Sequence, residues 1–211
     1  MTDIKTYFIG IAGNIGVGKT TMTDIIADRF GWQAYYESVI DNPYLEDFYQ
    51  DMKRWSFNLQ IYFLSHRFRN HKMMTESGFS TIQDRTIYED VEIFARNLHE
   101  MGNMSKRDWD NYCALFEEMT SYLKKPDLIL YLRASVDTLL TRIKKRSRGF
   151  ESNINPEYIY MLNISYERWI KRAQEQNPVK ILETDNFNVF EDTDRLEELL
   201  ADIRRICPEQ K

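Results

Sequence analysis

The sequence predicts an α/β fold built on a parallel, doubly wound sheet, and three observations carry that expectation. "TYFIGIAG" (6–13) is a β-rich apolar run that breaks into glycines. "DLILYLR" (127–133) is almost continuously apolar, as a strand covered on both faces must be. Strand-like runs then alternate with helical ones along the chain, which implies crossover connections and parallel pairing.

In chain order, the first strand is followed by Met22, Ile25, Ile26 and Phe30 at helical spacing, with Gly31 as a stop. "QAYYE" reads as a second strand, "RWSFNLQIYFLSHRFRN" as a long helix with a broad apolar face, and "FSTIQ" as a third strand. Helices are expected to fill 87–124. After the fourth strand, Val136, Leu139, Leu140 and Ile143 mark one helix face, and a further helix runs through "YIYMLNISYERWIKR" beyond Pro156. "VKILE" is a fifth strand and "DTDRLEELLADIRRI" a closing helix. There is no repeat, low-complexity tract or linker, so a single domain spanning 1–211 is expected.

Composition narrows the function. Hydrophobic residues at 43% and charged residues at 29% are ordinary for a globular chain and argue against disorder. A net charge of −5 implies no broad basic surface, hence no polymeric nucleic acid as partner. Cys113 and Cys207 are far apart with no CxxC, so neither a disulfide framework nor a zinc site is expected. The N-terminal stretch lacks signal-peptide character, and no apolar run reaches the roughly 18 residues that cross a bilayer, so a cytoplasmic location is expected. His66, His71 and His99 show no ligand spacing. His66 and His71, on the long helix, are expected at its polar outer face.

"GNIGVGKT" (13–20) fits G-x-x-x-x-G-K-[ST] at every fixed position. Glycines let backbone N–H groups curl around phosphate oxygens, and the N-terminus of the following helix adds its positive end. Gly13, Asn14, Ile15, Gly16, Val17, Gly18, Lys19, Thr20 and Thr21 therefore form the candidate nucleotide site. Lys19 would reach the terminal phosphates and the Thr20 hydroxyl would ligate Mg2+. The fold expectation sharpens to a P-loop NTPase-type five-stranded parallel sheet flanked by helices, with ATP as the phosphate donor. No N-K-x-D sequence supports a guanine-reading GTPase.

Three further clues bear on the reaction. In "QDRTIYED" (83–90), Asp84 or Thr86 can cap the next helix while Arg85 faces water, or the three can converge on a charged ligand with Asp84 near the metal. "TRIKKRSR" carries Arg142, Arg146 and Arg148. It is either a solvated helix face or, ending in "GFES", an arginine-rich lid that closes over transferring phosphate. Glu37, at the end of the second strand, is either an ordinary strand-end acid or a general base at the carboxyl edge of the sheet.

With these residues assembled, the chain resembles the deoxynucleoside kinase family from the P-loop to the lid. The family's acid–Arg–Ser motif, with a Tyr and then an Asp beyond it, stands here as "DRTIYED", with Asp84 and Thr86 as conservative departures. The resemblance implies that Glu37 takes the 5′-hydroxyl proton, that Arg85 holds Glu37 and the 5′-oxygen, and that Asp84 touches the magnesium shell. Gln60 and Arg67 in "WSFNLQIYFLSHRF", two turns apart, would bind the base together with Asp90, and Phe94 would stack on it. Tyr49 and Glu151 would hold the deoxyribose 3′-hydroxyl, and Phe190 in "ETDNFNVFED" would stack on the ATP adenine. "ESVIDNPYL" is similar to bacterial purine-preferring members, which points to deoxyadenosine first. A homodimer through the helices between 87 and 124 is likewise implied. Two rivals remain open from the residues: a nucleoside monophosphate kinase of the thymidylate kinase type, and a non-kinase P-loop switch.

Overall fold

The computed structural model describes residues 5–36, 42–146 and 154–208. Glu37, Arg148 and Glu151 lie outside the described residues. Its strands are β1 (Phe8–Ala12), β2 (Gln33–Tyr35), β3 (Thr81–Asp84), β4 (Leu128–Arg133) and β5 (Val179–Glu183). Its helices are α1 (Lys19–Phe30), α2 (Leu45–Gln50), α3 (Met52–Glu76), α4 (Ile87–Glu89), α5 (Arg96–Glu100), α6 (Lys106–Thr120), α7 (Val136–Arg146), α8 (Pro156–Ala173) and α9 (Thr193–Ile206). A π-helical turn, Asp90–Ala95, joins α4 to α5.

All strand pairs are parallel, in the order β2-β3-β1-β4-β5. β1 is central, and the chain passes to one side of it before β3 and to the other before β4. The crevice at the carboxyl end of β1 is therefore the switch point where open α/β sheets bind ligands. Register sharpens this: Asp84 pairs with Ile11, so the last residue of β3 lies level with the end of β1.

The sheet is covered on both faces, as the apolar runs predict. One face packs Ile9, Ile11, Leu128 and Leu130 against α1, α7 and α9 through Ile26, Leu139 and Leu200. The other packs Ala12, Ile129 and Tyr131 against α3, α6, α8 and the π-helical turn, through Leu64, Tyr112, Leu162 and Ile93. Burying each such Leu or Ile contributes about 1.5–3 kcal/mol, several times any difference in helix propensity, so packing holds these elements.

Local chemistry sets the boundaries. Gly31, in the left-handed region at φ 64°, ends α1. The Asp51 carboxylate accepts from the Arg54 N–H and starts α3 earlier than its apolar pattern suggests. Ser105 and Asn155 cap α6 and α8, the latter with Pro156 just inside. Thr86 and Glu89 form a capping box at α4.

The structure departs from the expectations in three places. Helices occupy 87–100 and 106–120 within the span expected for them, but one is a π-helical turn and 101–105 and 121–124 are not helical. α2 was not anticipated; it has only six residues and buries Leu45 and Phe48. His71 is buried rather than at a polar outer face: 1% exposed, with its ring edge-on to Phe8. α3 runs under the amino end of β1, so a side chain facing away from one layer meets another. His66 is half-buried against Tyr62.

Candidate functional site

The glycine-rich loop leaves β1 at Gly13, where φ is 148°. A Cβ there would stand 2.7 Å from the Leu132 carbonyl oxygen, so only glycine fits. The loop is held from outside: the Asn14 amide donates to the Ile159 carbonyl at 3.0 Å, and its Oδ1 accepts from the Ile15 N–H. Val17 is buried beneath the loop in the core. The Lys19 ammonium donates to the carbonyls of Gly13 and Asn14 at 2.9 and 3.2 Å, which poises it over the cradle.

Beside it, the Thr20 hydroxyl donates to Asp84 Oδ2 at 2.6 Å. Asp84 is 4% exposed, and its Oδ1 has no hydrogen-bond partner among the described residues. A hydroxyl and a carboxylate side by side, with a buried anionic oxygen to spare, are hard oxygen donors that fit a divalent cation.

Arg85 follows in the left-handed region at φ 66°, and it does not face water: it is 5% exposed. Its guanidinium donates to the Gly13 carbonyl at 3.3 Å and lies 4.4 Å over the Phe94 ring. Its Nε is 3.8 Å from Glu89 Oε1. The capping function falls to Thr86, so both alternatives raised by this stretch are partly realised: one residue caps the helix while its neighbours turn into the cleft.

A cavity of about 500 Å³ opens above the loop. Ile15, Gly16, Gly18, Lys19, Thr20 and Thr21 line one end. Gln60, Arg67, Asp90 and Phe94 line the other, with Tyr49, Asp84, Arg85, Arg142 and Arg146 also facing it. At that far end Arg67 of α3 and Asp90 of the π-helical turn form an ion pair, both side chains being buried. The π-helical turn brings Asp90 and Phe94 round to one side. Gln60, two turns before Arg67, is 2% exposed, and its Oε1 has no partner among the described residues. A buried amide oxygen in that state costs free energy until a donor meets it.

The described part of the basic run closes α7, with Lys144, Lys145 and Arg146 in its last turn and Arg142 just before it. Arg142 is pinned: it donates to the Val17 carbonyl at 3.1 Å and to both the hydroxyl and the carbonyl of Thr184. Burial lowers its pKa, opposed by Asp185. The segment that a lid requires lies beyond α7, outside the described residues. Phe190 is 77% exposed and does not line the cavity; the core contact of that loop is Phe187.

Sequence reasoning missed Glu89, Phe63 and Tyr158. Phe63 lies under the Arg67 guanidinium and Tyr158 is buried in the cavity wall. Glu89 is 0% exposed and accepts from the N–H groups of Gly13 and Thr86 and from the Tyr166 hydroxyl. Burial pushes its carboxyl pKa up, opposed by Arg85, Lys19 and the Tyr166 hydrogen bond.

Comparison with known proteins agrees with this geometry. A family model described as deoxynucleoside kinase matches residues 9–208. A deoxyadenosine/deoxycytidine kinase of Bacillus subtilis (strain 168) is 40% identical over 204 residues, covering 96% of this chain and 94% of the relative. A deoxyguanosine kinase of the same organism is 39% identical over 175 residues, covering 81% of this chain and 82% of its own. The structure of a deoxyadenosine kinase from M. mycoides with bound dCTP superposes with a TM-score of 0.82 at 31% identity, over 93% of this chain and 100% of the other.

Proposed function

The chain belongs to the deoxynucleoside kinase family, and from that premise we propose that it transfers the γ-phosphoryl group of ATP to the 5′-hydroxyl of a deoxynucleoside, deoxyadenosine first, in nucleotide salvage. One observation carries the proposal: a single cavity joins the glycine cradle to the buried set Gln60, Arg67 and Asp90. Phosphate-binding and base-binding chemistry thus share one space.

At the base end, the Gln60 amide offers an acceptor and a donor side by side, which complements the edge of adenine. Arg67 is neutralised by Asp90, and that suits an uncharged acceptor better than one carrying a phosphate. Phe94 supplies an apolar wall. Tyr49 and Glu151 would hold the sugar 3′-hydroxyl. Glu37 would accept the 5′-hydroxyl proton as the oxygen bonds to the γ-phosphorus and the bond to the bridging oxygen of ADP breaks. Arg85 would steady the attacking oxygen. Lys19, with Arg142, Arg146 and Arg148, would neutralise charge on the phosphoryl oxygens. The Thr20 hydroxyl and the Asp84 carboxylate would hold Mg2+, whose chemistry there is to offset charge on the β- and γ-phosphate oxygens. Phe190 is the remaining aromatic proposed for the ATP adenine.

Steady-state ADP formation with ATP and each of the four deoxynucleosides tests this, with deoxyadenosine monophosphate as a fifth acceptor. The highest kcat/KM should fall to deoxyadenosine. Preference for the monophosphate would mean a nucleoside monophosphate kinase, and hydrolysis indifferent to any acceptor would mean a switch. We further propose a single-domain cytoplasmic homodimer. Leu115 and Tyr122, exposed on and just after α6, offer apolar surface for a second copy. Among the described residues no helix is long and apolar enough to cross a membrane.

A further inference from the structure

We infer that Glu89 is a positioning residue for phosphoryl transfer, its carboxylate holding the entry of the phosphate loop and the Arg85 turn in one fixed relation. The inference rests on the kinase reading above and adds to it a residue with no part in nucleotide or nucleoside contact.

The case starts from backbone strain. Among the described residues Arg85 is the one non-glycine residue with positive φ, a conformation in which the Cβ of an L-residue crowds the carbonyl oxygen that follows. Such a conformation persists only when its surroundings over-determine it. Before the turn, the Arg85 N–H donates to the Ile11 carbonyl at 3.0 Å. After it, the Thr86 N–H donates to Glu89 Oε2 at 2.9 Å. The second oxygen, Oε1, accepts from the Tyr166 hydroxyl at 2.7 Å and from the Gly13 N–H at 3.4 Å, and faces Arg85 Nε at 3.8 Å. One carboxylate therefore joins the ends of β1 and β3 to α8. Arg85 and Gly13, which it touches, are themselves linked by the guanidinium-to-carbonyl bond.

A capping box alone does not account for this arrangement. Of the Glu89 bonds, capping requires only the one from Thr86, and it works at a solvated helix end. Here the carboxyl group is fully buried and both its oxygens accept hydrogen bonds, which a helix cap does not require. The Gly13 and Thr86 N–H groups can only donate, and the Tyr166 hydroxyl donates here, so both carboxyl oxygens are placed to accept. Glutamine has the same shape but must turn its NH2 toward one of those donors. Either Gly13 or Thr86 then loses its acceptor, and the loop or the Arg85 turn shifts.

The test compares wild type with Glu89→Gln and Tyr166→Phe by thermal unfolding, by nucleoside binding, and by kcat and KM for ATP and deoxyadenosine. A misplacement near 1 Å costs on the order of 10²-fold in rate. For folded Glu89→Gln, kcat should fall roughly 10- to 100-fold, while KM and Kd for deoxyadenosine stay within about threefold. Tyr166→Phe removes one donor and leaves the carboxylate, so its kcat should fall less, by several-fold. A folded Glu89→Gln with kcat within twofold of wild type overturns the inference. If that variant does not fold, unchanged kcat in Tyr166→Phe overturns it instead. Wild-type enzyme with no deoxynucleoside-dependent turnover would remove the kinase reading itself, a separate outcome from either.

Discussion

Gly10 sits in the middle of β1, and a Cβ built there would lie 2.4 Å from Thr86 Cγ2. Carbon atoms settle at about 3.5–4.0 Å, so Gly10→Ala demands that one methyl give way by more than an ångström. Neither has room: Gly10 is buried in the sheet and Thr86 is 2% exposed. Overpacking of this kind costs about 1–3 kcal/mol. Alanine returns about 0.5–1 kcal/mol over glycine in a strand, so at the middle of both ranges the clash wins by about 1 kcal/mol. For a chain of this length that lowers Tm by roughly 2–4 °C. The other close atoms, Pro126 Cγ at 3.7 Å and Thr86 Cβ at 3.8 Å, are at ordinary contact distance. The whole conflict therefore belongs to one methyl group. Thr86→Ser deletes that methyl and keeps the hydroxyl that caps α4, at a cost of about 0.5–1.5 kcal/mol for the gap. In the double variant the alanine methyl occupies the gap, so it should be at least as stable as Thr86→Ser alone. Urea unfolding followed by circular dichroism measures all four corners of the cycle. Additive losses in the double variant would refute the reasoning, because the two groups would then not share a space.

Two further outcomes follow from buried charge. Asp90→Ala strands the Arg67 guanidinium in a site where both partners are buried, so stability should drop by about 3–5 kcal/mol and KM for the deoxynucleoside should rise; a loss under 1 kcal/mol in urea would contradict the pairing. His71 is held below its ordinary pKa of 6.5, first by burial and partly offset by a hydrogen bond to the Lys124 backbone. The folded value being the lower, the unfolded chain takes up the proton first. The stability contributed by neutral His71 is full above pH 6.5 and drains away as pH falls through 6.5 toward the folded value. Tm should therefore fall more between pH 7.5 and 5.5 in wild type than in His71→Phe. His66, shifted the same way, is present in both proteins and cancels in the comparison. Equal slopes would show that His71 does not titrate on unfolding.

How much of the fold is legible in the sequence depends on how each element is stabilised. β4 can be read directly because a strand covered on both faces is continuously apolar, and β5, at the sheet edge, still matches "VKILE" residue for residue. α1 is readable from its spacing and its glycine stop. α2 is not, since six residues complete too little of a helical period to stand above noise. The π-helical turn leaves no periodic trace either. It is closed by side chains: the Asn97 amide bonds the Ile93 carbonyl and the Ser165 hydroxyl, the latter supplied by a helix far along the chain. His71 shows the limit of amphipathic reasoning. A 25-residue helix that meets different layers at its two ends has no single outer face.

The same distinction separates the site residues. The phosphate loop is contiguous, Asp84 follows from strand adjacency, and Gln60 with Arg67 comes from the family resemblance, with which helical spacing agrees. Glu89 carries only the T-x-x-E signature common to helix starts, and its partners Gly13 and Tyr166 are 76 and 77 residues away. Its burial nevertheless bears on how the cleft works. Arg67 faces Asp90 and Arg85 faces Glu89, so these four charges are balanced within the protein and can hold shape in any ligand state. Lys19 hydrogen-bonds two carbonyls and Asp84 a hydroxyl, with the Lys19 charge also felt by Glu89. Neutral partners are weaker than ionic ones and are readily exchanged for phosphate oxygen and a divalent cation. The cleft thus holds ion pairs that fix geometry beside hydrogen bonds to neutral groups that phosphate oxygen and a divalent cation would replace, with Arg85 the paired charge that the proposed reaction would also set against the attacking oxygen.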